Sequence, residues 1–151
     1  MRGELEATPG LGLSLHLHHV GILVAAIEPA QAAYVRTFGH VTCTDVVHDP
    51  VQTAYVQFLK LPHDAVYVEL VSPDGEGSKL ANALRKGGGL NHLCYATPDI
   101  DAACRQLRAS GLFALQAPVP AVAFRGRRIA WFMGADRVAF EVVERGPPGE
   151  L

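Results

Sequence analysis

Two short stretches of this sequence decide the fold, Leu17-His18-His19-Val20 and Leu90-Asn91-His92-Leu93. Both have the apolar character of a β-strand and carry a histidine at the third position, and they lie 73 residues apart. Farther along, an offset of 72 aligns identical residues in two apolar segments: Asp64, Val66, Glu69 and Val71 match Asp136, Val138, Glu141 and Val143. The repetition predicts two copies of one module of about seventy residues.

Each copy shows the same order of predicted elements, which is a strand, a helix and three further strands. The first strands are predicted at Leu17–Val24 and Leu90–Thr97, and the helices at Ile27–Gly39 and Ile100–Gly111, the second with Asp99 as N-cap. The other strands are predicted over 41–47, 53–61 and 65–71 in the first copy, and over 113–116, 128–133 and 138–144 in the second. The predicted fold class is therefore α+β, with two tandem βαβββ modules.

The domain organisation follows from the repeat and from the segments between its copies. We expect a flexible N-terminal arm over 1–15, a first module over 16–73, a linker over 74–88, a second module over 89–145 and a tail over 146–151. Ser78 is the candidate N-cap of a short linker helix that ends near three consecutive glycines.

Composition excludes several classes of protein. With 49% hydrophobic and 19% charged residues, the 151-residue chain is typical of a globular protein. Its net charge of −2 argues against nucleic-acid binding and against a basic membrane anchor. Three cysteines without close pairing indicate reduced thiols, and the N-terminal residues lack an apolar stretch of signal-peptide length. These features predict a cytoplasmic protein that does not associate with membranes.

The repeat places a histidine on the first strand of each module and a glutamate on the last. These residues are His19, Glu69, His92 and Glu141. Taken singly, each has an ordinary interpretation as a core histidine or a solvent-facing glutamate. Together they predict a site for one divalent ion, because a carboxylate inside an apolar strand is costly unless its charge is compensated. Two imidazoles and two carboxylates suit Zn, Co, Ni, Fe or Mn. Strict alternation would put His16 and His18 on the opposite face, as surface or tuning residues.

The pattern resembles the vicinal oxygen chelate superfamily, in which two βαβββ modules form a curved mixed sheet around a metal site. Within it, the chain is most similar to methylmalonyl-CoA epimerases and the related glyoxalase I branch. The segments that carry the resemblance are Leu17–Ile22, Tyr67–Pro73, Gly89–Tyr95, Asp99–Ala103 and Phe140–Glu144.

The resemblance implies a metal-dependent isomerase that moves a proton beside a thioester or carbonyl through an enolate. Its metal positions map onto the same two histidines and two glutamates, with Glu141 as the first candidate base and Glu69 as the second. It also implies a small-molecule substrate, such as an acyl-CoA, and a homodimer. Two alternatives stay open, a glyoxalase I-like lyase and a non-catalytic binding or resistance protein.

Other residues are candidates for catalysis or substrate binding. The related epimerases carry a further acidic residue in the loop before the third strand, where this chain has His48-Asp49-Pro50-Val51-Gln52. Asp49 or His48 is the candidate second acid or base, with Asp49 as the first choice, although Asp-Pro also suits a simple turn. The candidate substrate-binding residues are Gln52, Cys94, Arg127 and Arg128. The arginines suit a carboxylate or a phosphate, and a solvated strand edge is their ordinary alternative.

Overall fold

The structure is a computed structural model that describes residue 10 and residues 12–151. Most of the predicted N-terminal arm lies outside these residues. The strands are β1 His16–Leu23, β2 Val41–Thr42, β3 Val47–Asp49, β4 Ala54–Lys60, β5 Tyr67–Pro73, β6 Gly89–Thr97, β7 Phe113–Pro120, β8 Arg128–Met133 and β9 Ala139–Glu144. The helices are α1 Ile27–Phe38, α2 Ala81–Arg85 and α3 Ile100–Ala109.

The strands form one curved mixed sheet in the order β2-β4-β5-β1-β6-β9-β8-β7, with β3 paired to β4. In each module the first strand pairs in parallel with the last, β1 with β5 and β6 with β9. The two modules join through the antiparallel pair of β1 and β6 at the centre of the sheet. The α+β class and the duplicated module are therefore confirmed.

The long helices cover one face of this sheet and leave the other for the site. Ile27 of α1 packs on Leu59 and Leu70, while α3 packs on a cluster that includes Phe132 and Val142. Leu70 and Val142 directly follow the two strand glutamates. Because successive side chains of a strand point to opposite faces, both glutamates face away from the helices.

The local signals for the helix ends are largely confirmed. Asp99 caps α3 by accepting a hydrogen bond from the Ala102 amide at 2.9 Å. Gly39 ends α1 in the left-handed conformation with φ of 77°. The linker helix is a correction, because it begins at Ala81. The Ser78 hydroxyl instead donates to the Thr53 carbonyl at 2.7 Å and so ties the linker to the first module.

The predicted strand over 41–47 is also a correction, because it is split into β2 and β3. Thr44 lies in the gap, where its hydroxyl accepts a hydrogen bond from the Phe58 amide at 3.1 Å and its carbonyl accepts one from the Gln57 side chain. These side-chain bonds replace backbone pairing at this point of the sheet edge. In the described part of the chain, no helix combines the length and the apolar character that crossing a membrane requires.

Candidate metal and acid–base site

A β-bulge in β1 sets the position of the first histidine. Leu17 pairs with Tyr95 and His19 with Cys94, so His18 is an extra residue opposite β6. The bulge breaks the alternation of side chains, and both His18 and His19 are buried. The prediction that His18 lies on the surface is therefore wrong, whereas His16 is exposed as expected.

The predicted ligands of the two modules converge at the central seam of the sheet. His19 Nε2 lies 3.1 Å from His92 Nε2 and 3.2 Å from Glu69 Oε2, and His92 Nε2 lies 3.1 Å from the same Glu69 oxygen. Glu141 Oε1 is 3.8 Å from His19 Nε2. All four side chains are buried, so residues about fifty positions apart in each module face one small volume.

A glycine makes room for the second histidine. Gly21 pairs with His92 across β1 and β6, and a Cβ placed on Gly21 would overlap the imidazole of His92. On the other side, the Trp131 ring meets that imidazole edge-on, with ring centroids 4.7 Å apart. The imidazole of His92 is therefore packed between the backbone of Gly21 and the ring of Trp131.

The Nδ1 atoms of both histidines face the residue that immediately precedes each of them. His19 Nδ1 lies 2.8 Å from His18 Nδ1, and His92 Nδ1 lies 2.8 Å from Asn91 Oδ1. The two Nε2 atoms are thus the ones directed at the carboxylates.

Burial and charge act in opposite directions on the two glutamates. Burial raises the pKa of Glu141 well above its usual value, and the neighbouring charge of Glu69 adds to this effect. Burial alone would also raise the pKa of Glu69, but His19 and His92 outweigh it and hold that pKa well below its ordinary range. One carboxyl therefore favours its proton and the other favours its charge.

The donor set fits a divalent transition-metal ion. Ligand atoms bound at about 2.1 Å lie roughly 3.0–3.4 Å apart when they subtend angles between 90° and 109°. The three contacts among His19, Glu69 and His92 fall in this range, at 3.1–3.2 Å. Among the described residues, none makes a hydrogen bond to the buried Oε1 of Glu141, which a positive ion would satisfy. Mixed imidazole and carboxylate ligands suit Zn, Co, Ni, Fe or Mn.

The site opens into a cavity of about 430 Å³. Its wall is mostly apolar and includes Phe124, Ile129 and Trp131, with Glu69, His92 and Glu141 at one end. Asp49 and Gln52 also line this cavity.

The two loop residues differ in how they are held. Asp49 is buried, and its Oδ1 accepts hydrogen bonds from the amides of Val51 and Gln52. Gln52 donates from Nε2 to Gln116 Oε1 at 3.1 Å, which links the first module to β7 of the second. The turn at Asp49 thus places a carboxyl in the cavity wall.

The structure does not bring the other predicted residues into this cavity. Cys94 lies beneath it in the core, fully buried, and burial with the adjacent Glu141 raises the pKa of its thiol well above normal. Cys94 is not among the residues that line the cavity, although its Sγ and a ring nitrogen of each of His18 and His19 lie within 4.8 Å of one another.

The two arginines make their contacts outside this cavity. Arg128, at the start of β8, forms ion pairs with Asp101 at 3.0 Å and Glu144 at 2.7 Å. Arg127 lies in a separate cleft, where its guanidinium stacks over Phe124 and donates to the carbonyls of Glu144 and Leu151.

Sequence reasoning missed four residues around the site, and each had a signal. Gly21 interrupts an apolar strand, which is typical of a close backbone approach. Trp131 is the single tryptophan of the chain and lies within a predicted strand. His18 and Asn91 occupy equivalent places in the repeat, directly before the two histidines.

Comparison with known proteins gives a consistent result. The model of the Glyoxalase/Bleomycin resistance protein/Dioxygenase superfamily matches residues 18–131. The ethylmalonyl-CoA/methylmalonyl-CoA epimerase of Cereibacter sphaeroides is 34% identical over 122 residues, which are 80% of this chain and 89% of that protein.

Solved structures agree with the sequence comparison. The methylmalonyl-CoA epimerase of Mycobacterium tuberculosis is 30% identical with a TM-score of 0.78, over 87% of this chain and 88% of that one. A methylmalonyl-CoA epimerase in complex with methylmalonyl-CoA and NH4+ is 25% identical with a TM-score of 0.77, over 86% and 94% of the two chains. The chain therefore belongs to the glyoxalase/bleomycin resistance protein/dioxygenase superfamily, and methylmalonyl-CoA epimerases are among its relatives.

Proposed function

We propose that this protein is a metal-dependent epimerase that inverts the carbon next to the thioester of a short-chain acyl-CoA such as methylmalonyl-CoA. The observation that carries the proposal is the pair of buried carboxyls with opposite pKa shifts, Glu69 and Glu141, beside two histidines at the end of one cavity. Similarity to epimerases of methylmalonyl-CoA supports the substrate class.

The residues that would hold the ion are His19, Glu69, His92 and Glu141, with two nitrogen and two oxygen donors. When bound there, a divalent ion would supply Lewis-acid stabilisation of the negative charge that develops on the substrate. In the metal-free protein the two imidazoles stabilise the anionic form of Glu69. A bound divalent ion would stabilise the same charge when the Nε2 lone pairs are directed at that ion, so Glu69 is suited to remain a charged ligand.

Glu141 is the proposed base for the proton next to the thioester. Its raised pKa makes the carboxylate a better proton acceptor than an ordinary glutamate, and Glu141 lines the cavity. The apolar wall around Phe124 and Trp131 would keep water away from the substrate carbon that loses its proton.

Inversion needs a second group that delivers a proton to the opposite face, and Asp49 is the proposed one. It lines the same cavity, and its negative charge contributes to the raised pKa of Glu141. Its Oδ1 accepts hydrogen bonds from two backbone amides, whereas its Oδ2 accepts only a longer one, at 3.4 Å from the Val122 amide. Oδ2 is therefore the oxygen assigned to proton transfer.

A glyoxalase I-like lyase is the second candidate function. The observation that favours it is the loop at 48–52, where the side chain at the position of the relatives' acidic residue is Val51, half exposed. We further propose that the protein acts in the cytoplasm as a homodimer.

The test is proton exchange in deuterium oxide with Zn²⁺- or Co²⁺-loaded protein and methylmalonyl-CoA. We expect the wild type to incorporate deuterium next to the thioester and to interconvert the epimers. Glu141→Gln should lower exchange by about 10²-fold or more, and Asp49→Asn should slow inversion more than exchange. Glu144→Gln, on the same strand but outside the cavity, serves as the matched control.

Loaded wild-type protein that exchanges no proton would contradict the epimerase proposal. Turnover of the methylglyoxal–glutathione adduct by the same preparation would then assign the lyase function. Tight binding of either compound without turnover would assign a binding protein.

A further inference from the structure

We propose that His18 and Asn91 are a duplicated pair of positioning residues that fix the tautomers of the two metal-binding histidines. Each would hold the proton of the following imidazole on Nδ1, so that Nε2 offers its lone pair to the ion. This inference rests on the metal site of the proposed function and assigns a role to residues outside the ligand set.

The two residues occupy the same place in the repeat. His18 and Asn91 lie 73 residues apart, which is also the spacing between His19 and His92. In each module the side chain contacts the Nδ1 atom of the next residue at 2.8 Å. A contact of the same length at both positions is consistent with one function preserved in two different side chains.

The hydrogen-bonding groups of Asn91 indicate which tautomer His92 adopts. The amide oxygen Oδ1 only accepts hydrogen bonds, so the Nδ1 atom facing it at 2.8 Å carries the proton. A neutral His92 then has an unprotonated Nε2, which is the nitrogen 3.1 Å from Glu69 Oε2. This is the tautomer that binds a metal through Nε2.

His18 reaches its position only because of the bulge in β1. Without the extra residue its side chain would point away from His19. In the bulge, its ring stacks on Tyr67 with centroids 5.2 Å apart and meets Phe124 edge-on at 5.5 Å. This aromatic packing aims Nδ1 of His18 at Nδ1 of His19.

A histidine can accept this hydrogen bond as an asparagine does. Nδ1 of histidine and Oδ1 of asparagine are both bonded directly to Cγ, so the two side chains place an acceptor at a similar distance from the backbone. When His18 accepts at Nδ1, its own proton lies on Nε2. That atom is buried and makes no hydrogen bond to any of the described residues, so this tautomer leaves one N–H unpaired. The contact with His19 is then the single hydrogen bond of the ring among these residues.

The first test compares Zn²⁺ affinity in variants of similar shape, by competition with a chromophoric chelator. The side chains of asparagine and leucine have the same number of heavy atoms and the same branching at Cγ, and only the asparagine keeps an acceptor. We expect His18→Leu and Asn91→Leu to weaken Zn²⁺ binding by about 10–100-fold, and His18→Asn to stay near the wild type. Equal Zn²⁺ affinities of His18→Asn and His18→Leu would overturn the inference. Both variants lack the imidazole ring, so a purely structural contribution of that ring would be lost equally in both.

The second test uses NMR to determine the tautomers of His19 and His92 directly. Long-range ¹⁵N–¹H correlation spectra distinguish protonated from unprotonated imidazole nitrogens. In Zn²⁺-loaded wild-type protein we expect the proton of both His19 and His92 on Nδ1, and an altered tautomer signal in His18→Leu. A His19 ring without a proton on Nδ1 would refute the assignment.

The two proposals fail in different ways. A wild type that binds no Zn²⁺ would refute the metal site and the proposed function with it. A wild type that binds Zn²⁺ and catalyses exchange, with no difference between the leucine and asparagine variants, would refute the positioning role alone.

Discussion

At the scale of single residues, the site depends on a glycine that leaves space for a histidine. Gly21 has no Cβ, and the His92 imidazole occupies the space where that atom would be. Gly21 lies within β1, where a glycine ordinarily weakens a strand. The weaker strand propensity is offset here, because the absence of a Cβ at Gly21 lets His92 of the second module pack against β1 of the first.

We expect Gly21→Ala to displace His92 and to weaken Zn²⁺ binding by at least about 10-fold. Overpacking at this point should also lower the free energy of unfolding by about 1–3 kcal/mol. Chelator competition and urea denaturation measure the two effects. Gly75→Ala is the control, because a Cβ there meets open space. Unchanged Zn²⁺ affinity in Gly21→Ala would contradict this account.

The convergence of the four proposed ligands was predictable from the sequence, whereas the contacts of the residues directly before the histidines were not. His19, Glu69, His92 and Glu141 recur at matched places in the repeat, and a buried carboxylate has few explanations. His18 was assigned to the wrong face because strict alternation fails at a bulge. A bulge depends on pairing with another strand, here Cys94 opposite His19, which a single-sequence pattern does not contain.

At the scale of elements, α3 shows how local signals and packing agree. Asp99 caps its first turn, and one face of the helix packs on the sheet through Ala103 and Leu107. This helix lies on the face of the sheet opposite the ligands. Its stability and the chemistry of the site should therefore be separable.

We expect Asp99→Ala to lower the free energy of unfolding by about 1 kcal/mol, because the amide of Ala102 loses its acceptor. Zn²⁺ affinity should not change. Urea denaturation and chelator competition on the same preparation measure both quantities, with Asp64→Ala, in an exposed loop, as the control. A loss of Zn²⁺ affinity without a loss of stability would show that the two faces are coupled.

Strand boundaries were less predictable than the identity of the elements. The 41–47 segment has strand character throughout, but the Thr44 side chain takes up hydrogen-bonding groups that continuous pairing would use. The β7 strand runs to Pro120, beyond the predicted end at Gln116, with irregular pairing to β8. Both differences arise at the outer parts of the sheet, where tertiary contacts compete with the local pattern.

At the scale of the whole molecule, the buried carboxyls make stability depend on pH. Glu141 has a raised pKa in the folded state, so its contribution is present below the ordinary carboxyl pKa and is lost as the pH rises through the raised value. Glu69 has a lowered pKa, so its contribution is present above the ordinary value and is lost as the pH falls. Metal-free protein should therefore be most stable at a pH between the lowered pKa of Glu69 and the raised pKa of Glu141.

We expect the unfolding free energy of metal-free protein to fall with rising pH while Glu141 loses its proton, by at most about 1.4 kcal/mol per pH unit. Glu141→Gln should remove this alkaline loss, since its amide does not ionise. Urea denaturation over a pH series measures the slope. Glu144→Gln loses the ion pair with Arg128 but should keep the wild-type alkaline slope, because Arg128 lowers the pKa of Glu144. An alkaline slope that persists in Glu141→Gln would assign the loss to another group.

The contact between His16 and Arg145, 3.0 Å apart, bears on how the modules are connected. It shows that the start of β1 and the end of β9 lie on either side of β6, close enough for a short peptide to join them. A circular permutant closed there and opened between β5 and β6 would keep every strand pair while reversing the order of the modules. The sheet thus determines which strands pair, but it does not require either module to come first in the chain.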